Sequence, residues 1–90
     1  MTFEEAPIQG VWVLQPSVFE DHRGYFFESF SQRLLDEQLG YAPQFVQDNQ
    51  SQSGFGVVRG LHLQTGVHAQ AKLVRALEGK ILDVAVDVRR

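Results

Sequence analysis

His62, Lys72 and Asp83 are the residues whose types and spacing suit proton chemistry beside a carbonyl. Histidine is the side chain that ordinarily titrates near neutrality, which makes it the usual base. An ammonium group facing it disfavours the imidazolium by charge repulsion and stabilises an oxyanion as it develops. A base and an oxyanion stabiliser are the minimum for removing a proton next to a carbonyl. The three residues meet on one face if Gln64 to Ala69 is the loop of an antiparallel pair centred near Val67, which sets His62 opposite Lys72. A second turn at Glu78-Gly79 then sets Val74 opposite Asp83, so that His62, Lys72 and Asp83 share a face with Gln70, Val74 and Ala85. The reverse face carries Leu61, Leu63, Leu73, Leu77, Leu82, Val84 and Val86 and reads as core. An ordinary half-exposed antiparallel sheet presents the same polar face with no chemistry attached.

Strands must position these groups. The pattern predicts them over Gly10 to Leu14, Tyr25 to Ser29, Gln44 to Asn49, Val57 to Leu63, Gln70 to Leu77 and Lys80 to Val88. Turn signals separate them at His22-Arg-Gly24, Ser53-Gly-Phe-Gly56 and Glu78-Gly79. The last strand has the clearest alternation, Leu82, Val84, Val86 and Val88 against Ile81, Asp83, Ala85 and Asp87. It lies close to the end of the chain, so its free edge implies that the sheet continues in something beyond these residues. One short helix is predicted from about Ser31 to Leu39. Ser29 or Ser31 caps it, Leu34, Leu35 and Leu39 form its apolar stripe, and Gly40 stops it. Many short strands at close spacing predict an all-β sandwich or barrel.

Composition narrows the function classes. The chain has 90 residues, 43% hydrophobic and 21% charged, which places it among globular proteins. At that size only about 60 to 65% of the unfolded surface is buried on folding, so self-association or a missing segment is expected. The apolar face described above points the same way, toward a homodimer. Net charge is -3 and the 8 Lys and Arg are scattered, which argues against a nucleic-acid partner. There is no cysteine, hence no disulfide framework and no thiolate metal site. No apolar run reaches the roughly 18 residues of a membrane span, and the start of the chain lacks the pattern of a signal peptide, so a cytoplasmic location is expected. No repeat or linker divides the chain, and residues 1–90 are expected to form a single unit.

Val58-Arg-Gly-Leu-His-Leu-Gln64, followed by Gln70-Ala-Lys-Leu-Val-Arg75 and Gly79-Lys-Ile-Leu-Asp-Val-Ala-Val-Asp-Val-Arg89, resembles the core motif of the dTDP-4-dehydrorhamnose 3,5-epimerases. Upstream, Phe19-Glu-Asp-His-Arg-Gly-Tyr-Phe-Phe-Glu28 and Phe45-Val-Gln-Asp-Asn-Gln-Ser51 resemble two further segments of that family, in the right order. The resemblance implies a cupin-type double-sheet jelly roll, here its first half, that forms dimers and uses no metal or other cofactor. It implies as substrate dTDP-4-dehydro-6-deoxy-D-glucose, a dTDP-4-keto-6-deoxy sugar inverted at carbons 3 and 5 through an enolate during dTDP-L-rhamnose synthesis. By the same resemblance His62 matches the general base and Lys72 the group that steadies the enolate. Arg23, Glu28, Gln47 and Asn49 match positions that hold the nucleotide or its phosphates, as does Arg59, and Asp48 lies inside the same segment as Gln47 and Asn49.

Each position also has a plain structural account. Arg23 and the following Gly suit a solvated turn. Glu28 alternates with Phe27 and is the outward residue of a strand, while Gln47, Asp48 and Asn49 can end a strand and cap the next turn. Arg59 has the wrong parity to share a face with His62 unless Gly60 forms a bulge. Leu63 stands where the family usually has an aromatic residue. The family polypeptide is about twice as long, and its other half supplies the proton-donor tyrosine and the aspartate that orients the base. Tyr25 and Tyr41 lie in segments that do not match that tyrosine. An incomplete catalytic set is therefore expected, with a non-catalytic cupin-like fragment or nucleotide-sugar binding module as the alternative. A metal-dependent cupin using His62, His68 and Glu78 is disfavoured, because the paired histidines of such sites are spaced far more closely than these.

Overall fold

A computed structural model describes residues 1–41 and 43–89. Its regular structure is mostly strand, in two small antiparallel sheets, with one short helix. The chain divides into two compact units, 1–44 and 45–90.

In the first unit, β1 (Thr2–Glu5) pairs with β2 (Trp12–Gln15), and Phe3 stands opposite Leu14 and Glu5 opposite Trp12. The period-two pleat puts Phe3, Trp12 and Leu14 on one side, where all three are half-buried, and leaves Val13 and Gln15 on the wet side. Ala6 N–H donates to the Val11 carbonyl at 2.7 Å and closes the connection. β3 (Val18–Asp21) and β4 (Gly24–Phe27) form a second hairpin, with Val18 opposite Phe27 and Asp21 opposite Gly24. His22 and Arg23 make the turn, as predicted, and Gly24 follows with φ of 134°, a value that side chains bearing a Cβ rarely adopt. The rings of Tyr25 and Phe27, two apart on one face, stack with centroids 5.9 Å apart. Pairing decides what alternation missed here. β1 and β3 were not predicted, because each is a four-residue run whose strand character comes from the partner it meets.

The helix α1 spans Gln32–Gln38. Ser31 Oγ accepts the Leu34 N–H at 3.3 Å, and the Leu39 N–H closes the other end on the Leu35 carbonyl at 2.9 Å. Leu35 points inward with 3% of its surface exposed and is the buried apolar residue among those described. Arg33 pairs with Glu37 at 3.0 Å, one turn on. Because seven residues is too short for a helix to persist on propensity alone, the cap carries much of its local stability. Ser31→Ala is expected to destabilise it by about 1 kcal/mol, read as a lowered Tm of the full-length polypeptide. An unchanged Tm together with unchanged helical circular dichroism would show that the cap is dispensable.

The second unit corrects the sequence reading. Strands predicted over Gln44 to Asn49, Val57 to Leu63, Gln70 to Leu77 and Lys80 to Val88 are not formed among the described residues. The unit holds the predicted turn at Phe55-Gly56, closed by Val57 N–H on the Gly54 carbonyl at 3.4 Å, a bend at Glu78-Gly79, and a single 3-10 turn at Gly66–His68. An alternating pattern supplies a face but neither a hydrogen-bonding neighbour nor a layer to pack against, and an isolated strand has no stability without them. The side chains assigned to the core face remain in solvent, Leu61 70% and Leu82 91% exposed.

Candidate functional site

Arg23 sits at the tip of the second hairpin and its geometry follows from Asp21, the last residue of β3. Asp21 Oδ1 accepts the Arg23 backbone N–H at 2.8 Å, while Oδ2 accepts Nε at 3.1 Å and Nη2 at 2.6 Å. The guanidinium and then the backbone N–H of Arg23 hold the Asp21 carboxyl below the ordinary carboxylate range. Asp21 was not singled out from the sequence, yet an Asp two residues before an Arg and three before a Gly is a readable turn signal. Glu28 follows β4 directly and is exposed; the strand ends at Phe27, so Glu28 is outside the ladder in which it was predicted.

The remaining sequence-predicted residues lie in the second unit, all in irregular, exposed backbone. Gln47 Nε2 donates to Asn49 Oδ1 at 3.5 Å, and Asp48 lies between them. Arg59 Nε donates to Ser53 Oγ at 2.9 Å across the turn at Phe55-Gly56. The sequence named Ser53 as the start of that turn and not as a partner of Arg59. The bulge at Gly60 that Arg59 would need to share a face with His62 requires a ladder to interrupt and is not formed among the described residues. Instead Gly60 adopts φ of 111°, and a Cβ there would stand 3.3 Å from His62 Nδ1. Glycine therefore suits the position on two counts, backbone conformation and closeness to the imidazole.

The predicted register that sets His62 opposite Lys72, and Val74 opposite Asp83, is likewise absent among the described residues, for want of the strands that would carry it. No hydrogen bond or ion pair joins His62 to Lys72 or to Asp83 among them. Nor do three His, Asp or Glu side chains gather closely enough among the described residues to hold a metal ion, so His62, His68 and Glu78 are not brought together. No helix among the described residues is long and apolar enough to cross a membrane.

Asp87 and Arg89 repeat the arrangement of Asp21 and Arg23. Asp87 Oδ1 accepts the Arg89 backbone N–H at 3.0 Å and Nε at 2.9 Å, and Oδ2 accepts Nη2 at 2.9 Å. The hydrogen bonds from the Arg89 side chain, and then from its backbone, lower the Asp87 carboxyl to about 2. A folded value below that of the unfolded chain, near 3.9, means that the pairing contributes stability above that pH. The contribution is lost as pH falls through about 2. Carboxylate-detected NMR titration of the full-length polypeptide is expected to show the Asp87 midpoint near 2, returning toward about 3.9 in Arg89→Ala. A midpoint at the ordinary value before substitution would disprove the pairing.

The family model described as dTDP-4-dehydrorhamnose 3,5-epimerase matches residues 5–90. Among curated proteins of that name, the one from Escherichia coli (strain K12) is 54% identical over 82 residues, covering 91% of this chain and 44% of its own length. The Shigella flexneri protein is 48% identical over 90 residues, 100% of this chain and 50% of its own. That of Methanothermobacter thermautotrophicus is 46% identical over 88 residues, 98% and 46%. The chain thus spans about half the length of the curated relatives it matches. No solved structure matches it.

Proposed function

The chain belongs to the dTDP-4-dehydrorhamnose 3,5-epimerase family, and from that premise we propose that it forms the N-terminal half of an epimerase acting on dTDP-4-dehydro-6-deoxy-D-glucose at carbons 3 and 5. The observation that carries this reading is the family match across residues 5–90, which includes every residue assigned a part below.

His62 is the base. The ketone at carbon 4 acidifies the hydrogens on carbons 3 and 5. His62 takes one of them, the C–H electron pair moves into an enolate, and negative charge collects on the carbon-4 oxygen. The Lys72 ammonium steadies that oxygen. Return of a proton on the opposite face of the ring completes inversion. The family's tyrosine, in the half of the polypeptide beyond this chain, performs that return, and its aspartate orients His62. Arg23, Glu28, Gln47, Asp48, Asn49 and Arg59 bind the nucleotide portion. His62 and Lys72 need a common face for this chemistry. The cupin-type jelly roll of the whole polypeptide, dimeric and cytoplasmic, provides it by giving the alternating segments of the second unit their partner strands. Products of this reaction feed dTDP-L-rhamnose synthesis and thereby cell-surface polysaccharide.

The test is turnover of the dTDP-4-keto-6-deoxy sugar by the full-length polypeptide in deuterated water. Deuterium entering at carbons 3 and 5 with inversion is the expected result. Nucleotide binding with no exchange at either carbon would favour a non-catalytic binding module.

A further inference from the structure

We propose that Asp21 is a positioning residue that presents Arg23, end-on, to the diphosphate of the bound nucleotide. The proposal rests on the reading of Arg23 as a nucleotide contact given above. An arginine offers two edges for recognition, the side edge of Nε and Nη2 and the end fork of Nη1 and Nη2. In the second hairpin Asp21 takes the whole side edge, through Oδ2 at 3.1 and 2.6 Å. Its other oxygen takes the Arg23 backbone N–H at 2.8 Å. One carboxylate therefore fixes main chain and guanidinium together, at a turn whose flanks, Asp21 and Gly24, are themselves paired across the sheet. Nη1 and the second N–H of Nη2, which make up the donors of the end fork, are not used by these bonds, and the Arg23 side chain is 80% exposed. A fork of that shape matches two oxygens of a phosphate. Holding it in advance spares the ligand the rotamer entropy of ordering a long side chain.

Charge alone makes the opposite forecast, and that gives the proposal its test. Removing a carboxylate beside an anion site should tighten anion binding if Asp21 acts only through its field. If it acts by positioning, removal weakens binding. Calorimetric titration of the full-length polypeptide with dTDP is expected to show Kd rising roughly three- to tenfold in Asp21→Ala. Asp21→Asn, which keeps an oxygen for the Arg23 N–H, is expected to lose less. Thymidine, which has no phosphate, should bind all of these proteins alike, and kcat should hold while KM rises. In an Arg23→Ala background, Asp21→Ala should add nothing further. Unchanged or tighter dTDP binding in Asp21→Ala would overturn the proposal, as would an equal loss for thymidine or a full additional loss in the double variant. If Arg23→Ala itself leaves dTDP affinity untouched, the reading of Arg23 as a nucleotide contact falls, and the proposal falls with it.

Discussion

His62→Ala in the full-length polypeptide is expected to abolish both deuterium incorporation at carbons 3 and 5 and inversion of the sugar, with dTDP affinity nearly unchanged. The expected loss exceeds the roughly hundredfold minimum typical of removing a general base. Both readouts must fall together, because exchange and inversion share the step in which the C–H bond breaks. Affinity should hold because, in the mechanism proposed above, His62 acts on the sugar ring and not on the nucleotide. Near-normal exchange in this variant would assign the base to another group and sink the mechanism.

Lys72→Ala is expected to slow exchange by about a hundred- to thousandfold, the usual consequence of removing one donor from a developing oxyanion. Unlike the histidine variant it should also weaken binding of the keto sugar, since an ammonium that stabilises the enolate oxygen attracts the ketone oxygen in the ground state too. Affinity for dTDP, which has no ketone, should change little. Lys72→Arg keeps the charge in a broader planar group and should recover only part of the rate. Slowed exchange with unaltered sugar affinity would mean that Lys72 meets the oxygen only in the transition state. An unaltered rate would remove it from the mechanism.

Local chemistry was legible along the chain and tertiary pairing was not. Ser31 as a helix cap, the apolar stripe through Leu35, and the turns at His22-Arg23 and Phe55-Gly56 all depend on neighbours within a few residues, and all are present. The clamp of Asp21 on Arg23 is equally local. Turn propensity at Arg23 and Gly24 does not disclose it, because the carboxylate that holds the guanidinium precedes the turn.

What the sequence by itself determined is the family to which the chain belongs. The ordered segments around Arg23, Gln47, His62 and Lys72 lie within the family match over residues 5–90. It also determined the alternation of Leu82, Val84 and Val86, which specifies a face without specifying what covers it. Only the tertiary structure decided which runs became strands. Thr2–Glu5 and Val18–Asp21 pair although their pattern is short, because each has an antiparallel neighbour within reach of a short connection. Val57 to Leu63 and Lys80 to Val88 alternate more clearly and remain unpaired, with Leu82 91% exposed. A strand's hydrogen bonds and its buried face both belong to a second segment. Whether a β pattern becomes a β-strand is therefore settled by the partner it meets, and the proposed facing of His62 and Lys72 depends on that meeting.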